Sequence, residues 1–190
     1  MPKAVKFIAA GIVAVIIAVV AVVVISSSAA KKNSNDALSA ALPLVEANFD
    51  AVTYFKIAQL PPKPESEFSY ENYPGGTVPC DTSIFANYAE FKAFVENTYI
   101  PDEAARLLSL KEGSTPRYFE ANGELCKTTA SPDLSYDKDF SNYSVKVTNA
   151  TSKSADIIVT VSQKSGGTAE INLKMLKSTD GRWFLEKMGY

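Results

Sequence analysis

Apolar positions follow three regimes along the chain: an unbroken run near the start, three- and four-residue steps through the middle, and strict alternation toward the C-terminus. From Phe7 to Ile25 run 19 residues, apolar throughout apart from Gly11; at 1.5 Å per residue a helix of that length covers roughly 28 Å, the thickness of bilayer hydrocarbon. Residues 26–35, SSSAAKKNSN, are small and polar without a period and read as a tether. Asn35 or Asp36 can then cap a helix that repeats Leu38, Leu42, Val45, Phe49, Val52 and Phe55 up to about Gln59, with Pro43 kinking it or delaying its start. The prolines of Leu60-Pro61-Pro62-Lys63-Pro64 end it.

Phe68, Tyr70 and Tyr73 before Pro74-Gly75-Gly76 predict a short extended piece and a turn. Asp81, Thr82 or Ser83 can cap a second helix whose Phe85, Tyr88, Phe91, Phe94 and Val95 form one aromatic stripe, a packing face by its spacing. Pro101, followed by Asp102 and Glu103, starts a short third helix through Leu107 and Leu108. After Gly113 the period changes to two. Tyr118-Phe119-Glu120 and Glu124-Leu125-Cys126 flank Asn122-Gly123, the residues of a type I′ hairpin turn. Residues 128–139 form an acidic loop, and beyond it Tyr143, Val145 and Val147, then Ile157, Val159 and Val161, then Ile171, Leu173 and Met175 alternate with polar residues. Gly166-Gly167 and Asp180-Gly181 are turns, the second leading into a fourth strand from Arg182 to Gly189. The expected fold class is α+β: helices packed on one face of a curved antiparallel sheet that closes as a C-terminal meander. The organisation is a short segment 1–6, a transmembrane helix 7–25, a tether 26–35 and one extracytoplasmic domain 36–190.

The apolar run also fits a signal peptide cleaved near Ala30, with Lys3 and Lys6 as its basic start. Its length favours an uncleaved anchor, and either route delivers the domain outward. Lysines before the span set the N-terminus inside. Four of the 19 basic residues, Lys3, Lys6, Lys31 and Lys32, lie in the first 32 and no acidic one does; residues 33–190 therefore hold 15 basic against 21 acidic side chains, a net of −6. That charge disfavours nucleic acid. The chain contains no histidine, which removes imidazole-based triads and HExxH zinc sites. Outside the cytosol Cys80 and Cys126 fit a structural disulfide, with two independently buried thiols as the alternative.

Residues 65–139 hold 14 acids against six bases, but no spacing there fixes a catalytic carboxylate pair. Asp133, Asp137 and Asp139 lack the glycine and terminal glutamate of an EF-hand, so no metal and no cofactor is expected. An acidic outer loop suits contact with a basic groove better than catalysis, and the domain is read as a binding protein rather than an enzyme.

From Phe68 onward the order FSYENY, NTYIPDEAARLL, YFEANGEL, an acidic loop and TDGRWFLEKM resembles the IseA-type DL-endopeptidase inhibitors of bacterial cell envelopes. Thr98-Tyr99, Asn122-Gly123-Glu124-Leu125 and Asp180-Gly181-Arg182-Trp183 carry the resemblance. It implies a domain that blocks NlpC-type cysteine peptidases of peptidoglycan by presenting a negatively charged loop to the active-site cleft. Ser131 to Asp137 corresponds to that loop, with Pro132 and Leu134 where the family tends to have glycine between its acids. The partner-contact residues so implied are Ser131, Asp133, Tyr136, Asp137 and Asp139. A membrane anchor, a helix-rich first half and a meander ending in Asp-Gly-Arg-Trp also resemble the cone-shaped domains of the nuclear-transport-factor superfamily, which would make the chain an assembly module of an envelope or secretion complex.

Overall fold

The computed structural model describes residues 28–73, 75–129 and 137–190. The predicted span 7–25 lies outside these residues, as do Ser131, Asp133 and Tyr136. No helix among the described residues is long and apolar enough to cross a membrane.

The first helix, α1 (Ser28–Val52), begins inside the stretch read as a tether. Ala29, Ala30, Lys31 and Lys32 are strong helix formers with no glycine or proline among them, and these local preferences continue the helix backward past Asp36. Asp36 is consequently not a cap; its carboxylate accepts hydrogen bonds from Lys177 Nζ (2.5 Å) and Trp183 Nε1 (3.2 Å). Pro43 sits within the helix on its exposed side. Val45, Phe49, Val52 and Phe55 are buried as their spacing requires, whereas Ala37 and Ala41 rather than Leu38 and Leu42 occupy the innermost positions of the first turns. The helix widens into a π turn at Thr53–Ile57 and stops at Gln59, whose φ of 60° is left-handed.

The proline run then pairs with the chain entering the second helix: Lys63 N–H donates to Pro79 O and Asp81 N–H to Pro61 O, both at 2.9 Å. Between them residues 65–72 form two short 3₁₀ turns instead of an extended piece. The strand β1 (Thr77–Pro79) joins a hairpin of β4 (Tyr118–Ala121) and β5 (Glu124–Thr128) in the order β1-β5-β4, and Asn122 (φ 54°) and Gly123 (φ 77°) supply the two left-handed turn residues. β2 (Lys111–Glu112) and β3 (Thr115–Pro116) make a small separate ribbon.

The aromatic helix, α2 (Tyr88–Thr98), starts later than Asp81–Ser83 would place it. Asn87 Oδ1 caps the Glu90 amide at 2.9 Å while Glu90 reaches back to the Ala86 amide at 2.9 Å, a reciprocal pair that outcompetes the upstream residues. Asp81 instead closes a tight turn with the Ser83 amide (2.8 Å). Phe85, just ahead of the helix, stacks its edge on Phe91 and Tyr54, and Phe91 meets Phe55 and Tyr118, so the stripe is packing as expected. α3 (Pro101–Leu108) has proline in its first turn.

The remaining chain is a curled antiparallel meander, β6 (Lys138–Thr148), β7 (Ser154–Gln163), β8 (Thr168–Lys177) and β9 (Trp183–Leu185), hydrogen-bonded in that order. Tyr143, Val145, Val147, Ile157, Val159, Val161, Ile171, Leu173 and Met175 alternate inward and are all buried. α1 packs on β6, β7 and β9, and α2 contacts α1, β4, β5 and β9. The fold is α+β, with helices on a strongly curled antiparallel sheet. The fourth strand is shorter than Arg182–Gly189, because side chains from α1 and α3 take over the backbone of residues 188 and 189.

Cys80 and Cys126 are free, buried thiols rather than a disulfide. Cys126 pairs with Pro79, one residue before Cys80, so the alternating pleat turns the two side chains to opposite faces of the sheet; Cys80 joins the main core cluster.

Candidate functional site

The segment between β5 and β6 is held at both ends by hydrogen bonds to different sheets. At its start, the Thr129 amide (2.9 Å) and hydroxyl (3.0 Å) both donate to Gly76 O, on the turn that leads into β1. Thr128 is fixed beside it, its amide donating to Arg117 O at 3.0 Å and its hydroxyl to Pro116 O at 2.8 Å. At its end, the Asp137 carboxylate accepts from the Ser165 amide (3.0 Å), the Ser165 hydroxyl and, more weakly, the Gln163 side-chain amide (3.4 Å). The Asp137 carbonyl accepts from the Lys164 amide at 2.7 Å.

Asp137 is therefore the staple that binds this segment to the β7–β8 turn. Gly166 (φ 97°) and Gly167 (φ 86°) make that turn tight enough to aim the Ser165 donors outward. Asp139 bonds along its own strand, its Oδ1 accepting from the Ser141 hydroxyl (2.6 Å) and amide (2.9 Å), which hold the carboxyl below its ordinary range. Of the predicted contact residues, Asp137 and Asp139 are described, and their carboxylates face different partners, the β7–β8 turn and Ser141. Ser131, Asp133 and Tyr136 lie outside the described residues.

Among the described residues no group of three or more histidine, cysteine, aspartate or glutamate side chains could hold a metal ion. Burial pushes the Cys80 thiol up to about 12 and also raises Cys126, so both are protonated at neutral pH and weak nucleophiles.

A second feature was not legible from spacing: an apolar cleft of about 520 Å³ between α1, α2 and β9, lined by Pro43, Leu44, Phe94, Asn97, Trp183 and Phe184 among others. Arg182 stands at its edge, donating to Asp180 (2.8 Å) and to Asn97 Oδ1 (3.4 Å), with its guanidinium 5.1 Å from the Phe184 ring. The Ser178 hydroxyl and then Arg182 hold the Asp180 carboxyl down at about 2. Helical periodicity gave no signal for the cleft, because its walls come from three elements far apart in the chain.

A scan against protein-family models finds no match to this chain, and a search of curated proteins finds no significant one.

Proposed function

We propose that the chain is an extracytoplasmic protein-binding domain, anchored in the membrane by residues 7–25, that restrains NlpC-type cell-wall peptidases through the segment following β5. The observation that supports this reading is the double pinning of the segment, by Gly76 at one end and by Ser165 and Gln163 at the other. A peptide presented between fixed ends loses less conformational freedom when it enters a cleft, which is how preorganised loops gain affinity. Asp133 supplies negative charge between those ends, and a basic groove is its natural complement.

The test is inhibition of an NlpC-type catalytic domain by the full chain and by its Asp133→Lys variant. Inhibition by the parent and its loss in the variant, at unchanged melting temperature, supports the reading. Equal inhibition by both removes Asp133 from the contact, and none by either removes the peptidase.

The curled sheet and the 520 Å³ cleft favour a second reading, a cone-shaped assembly module. Light scattering separates the two: an inhibitor acts as a monomer, whereas an assembly module self-associates through a defined face.

A further inference from the structure

Between the prolines after α1 and the start of β1, residues 65–73 form a strap that carries three aromatic rings away from the core. Phe68 meets Tyr70 with ring centroids 4.9 Å apart at 67° and Tyr73 at 5.8 Å and 82°. Tyr70 is 57% exposed, and none of the three belongs to the core cluster among the described residues. The two tyrosine rings are held in place by their hydroxyls: Tyr70 donates to Glu65 at 2.8 Å and Tyr73 donates to Glu124. Asn122 Nδ2 adds a bond to Asn72 O at 2.8 Å, fastening the strap to the hairpin turn.

The charged residues within the strap are all acidic. Glu65, Glu67 and Glu71 are exposed on the strap, while Lys63, two residues before it, is engaged by Glu124 at 2.6 Å. One exposed ring, Tyr70, beside the half-buried Phe68 on an acidic strap complements a side chain that is both flat or aliphatic and positively charged. We propose that the strap is a docking surface for a cationic protein segment, with Phe68 and Tyr70 offering ring surface to lysine or arginine and Glu67 and Glu71 supplying the countercharge. Gly76, three residues beyond the strap, holds Thr129 at the end of β5. The proposal nevertheless involves other residues and stands without the peptidase reading.

The experiment titrates the full chain with pentalysine and pentaarginine, following the amide resonances of residues 65–73. Saturable shifts confined to the strap are expected, weakened about two- to fivefold by Tyr70→Ala and by Tyr70→Leu, the size of an exposed cation–π contact. Glu67→Gln with Glu71→Gln flattens the salt dependence. Tyr70 is exposed, so its variants fold; equal melting temperatures verify this. Asp133→Lys leaves these shifts in place, which keeps the result separate from the inhibition assay. Shifts that ignore both Tyr70 variants, or that fall only on residues 137–141, overturn the proposal. So does chitotetraose if, being uncharged, it produces the same strap shifts, for the rings would then be a sugar platform.

Discussion

Asn48, in the middle of α1, holds Gly189 by both faces of its amide: Nδ2 donates to Gly189 O at 2.8 Å and Oδ1 accepts the Gly189 amide at 3.0 Å. The Tyr99 hydroxyl donates to the same Oδ1 at 3.0 Å, so one fully buried side chain ties the first helix, the end of the second and the C-terminal tail. Asn48→Ala strands the buried Tyr99 hydroxyl and the two part-buried backbone groups of Gly189 and is expected to destabilise the fold by about 2–4 kcal/mol, read as a lower denaturant midpoint at unchanged slope. Gly189→Ala tests the same joint by sterics, because a Cβ there would lie 2.3 Å from Leu173 Cδ2. Its expected cost is about 1–3 kcal/mol.

The tail has a second clamp with a pH signature. Glu103 is 6% exposed; it receives Arg106 through two bonds of 2.6 and 2.8 Å and the Met188 amide at 2.9 Å. Burial pushes its pKa up, but the Arg106 ion pair and the Met188 amide outweigh burial and leave the carboxyl below its ordinary 4.5. A carboxyl whose pKa is depressed by folding contributes stability that is complete above the unfolded value and is lost as pH falls through the folded one. Glu103→Gln is therefore expected to be less stable than the parent by about 1–2 kcal/mol at pH 7, with the gap closing below about pH 4.5. Unfolding curves of both proteins from pH 7 to 3 check it; a constant gap would mean the charge is irrelevant.

Both clamps mark the limit of what spacing conveys. The hairpin was legible because Asn122-Gly123 allows few backbone shapes, and the meander because alternating burial leaves a period of two. The start of α1 was not, since Ala29 to Lys32 favour a helix through local preference alone and the sequence there has no stripe. The α2 cap was misplaced because Asp81, Thr82 and Ser83 carry the same chemistry as Asn87, and only Glu90 three residues beyond separates them. β1 and the shortened β9 depend on partners distant in sequence, Thr128 for one and Glu103 with Asn48 for the other. At the candidate site the acidic character of the segment was legible, but Asp137 as a turn staple was not, for its partner Ser165 lies in the β7–β8 turn.

The thiols offer a direct check on the three-stranded sheet. With Cys80 and Cys126 buried, unpaired and raised in pKa, the native protein is expected to react with iodoacetamide far more slowly than a free thiol, and denaturation should release two reactive groups. Intact mass with and without reductant should be identical. A mass lower by two hydrogens before reduction would mean that the sheet admits a disulfide across its two faces, contrary to the Pro79–Cys126 register.

Asp137 separates scaffold from contact. Its carboxylate is occupied by Ser165 and Gln163, so Asp137→Ala is expected to cost about 1 kcal/mol and to speed hydrogen exchange at the Ser165 amide, which loses its acceptor. Asp133→Lys, by the reading proposed above, should abolish peptidase inhibition with little effect on stability. If the pinned segment is the contact, Asp137→Ala should therefore lower both stability and inhibition, whereas Asp133→Lys lowers inhibition alone. Should Asp137→Ala loosen the β7–β8 turn yet leave inhibition intact, the pinning would serve the fold alone. A parallel fall in inhibition and in Ser165 protection across Asp137→Ala, Asp137→Asn and Ser165→Ala would instead tie the anchored end to partner affinity, because each variant frees that end to a different degree.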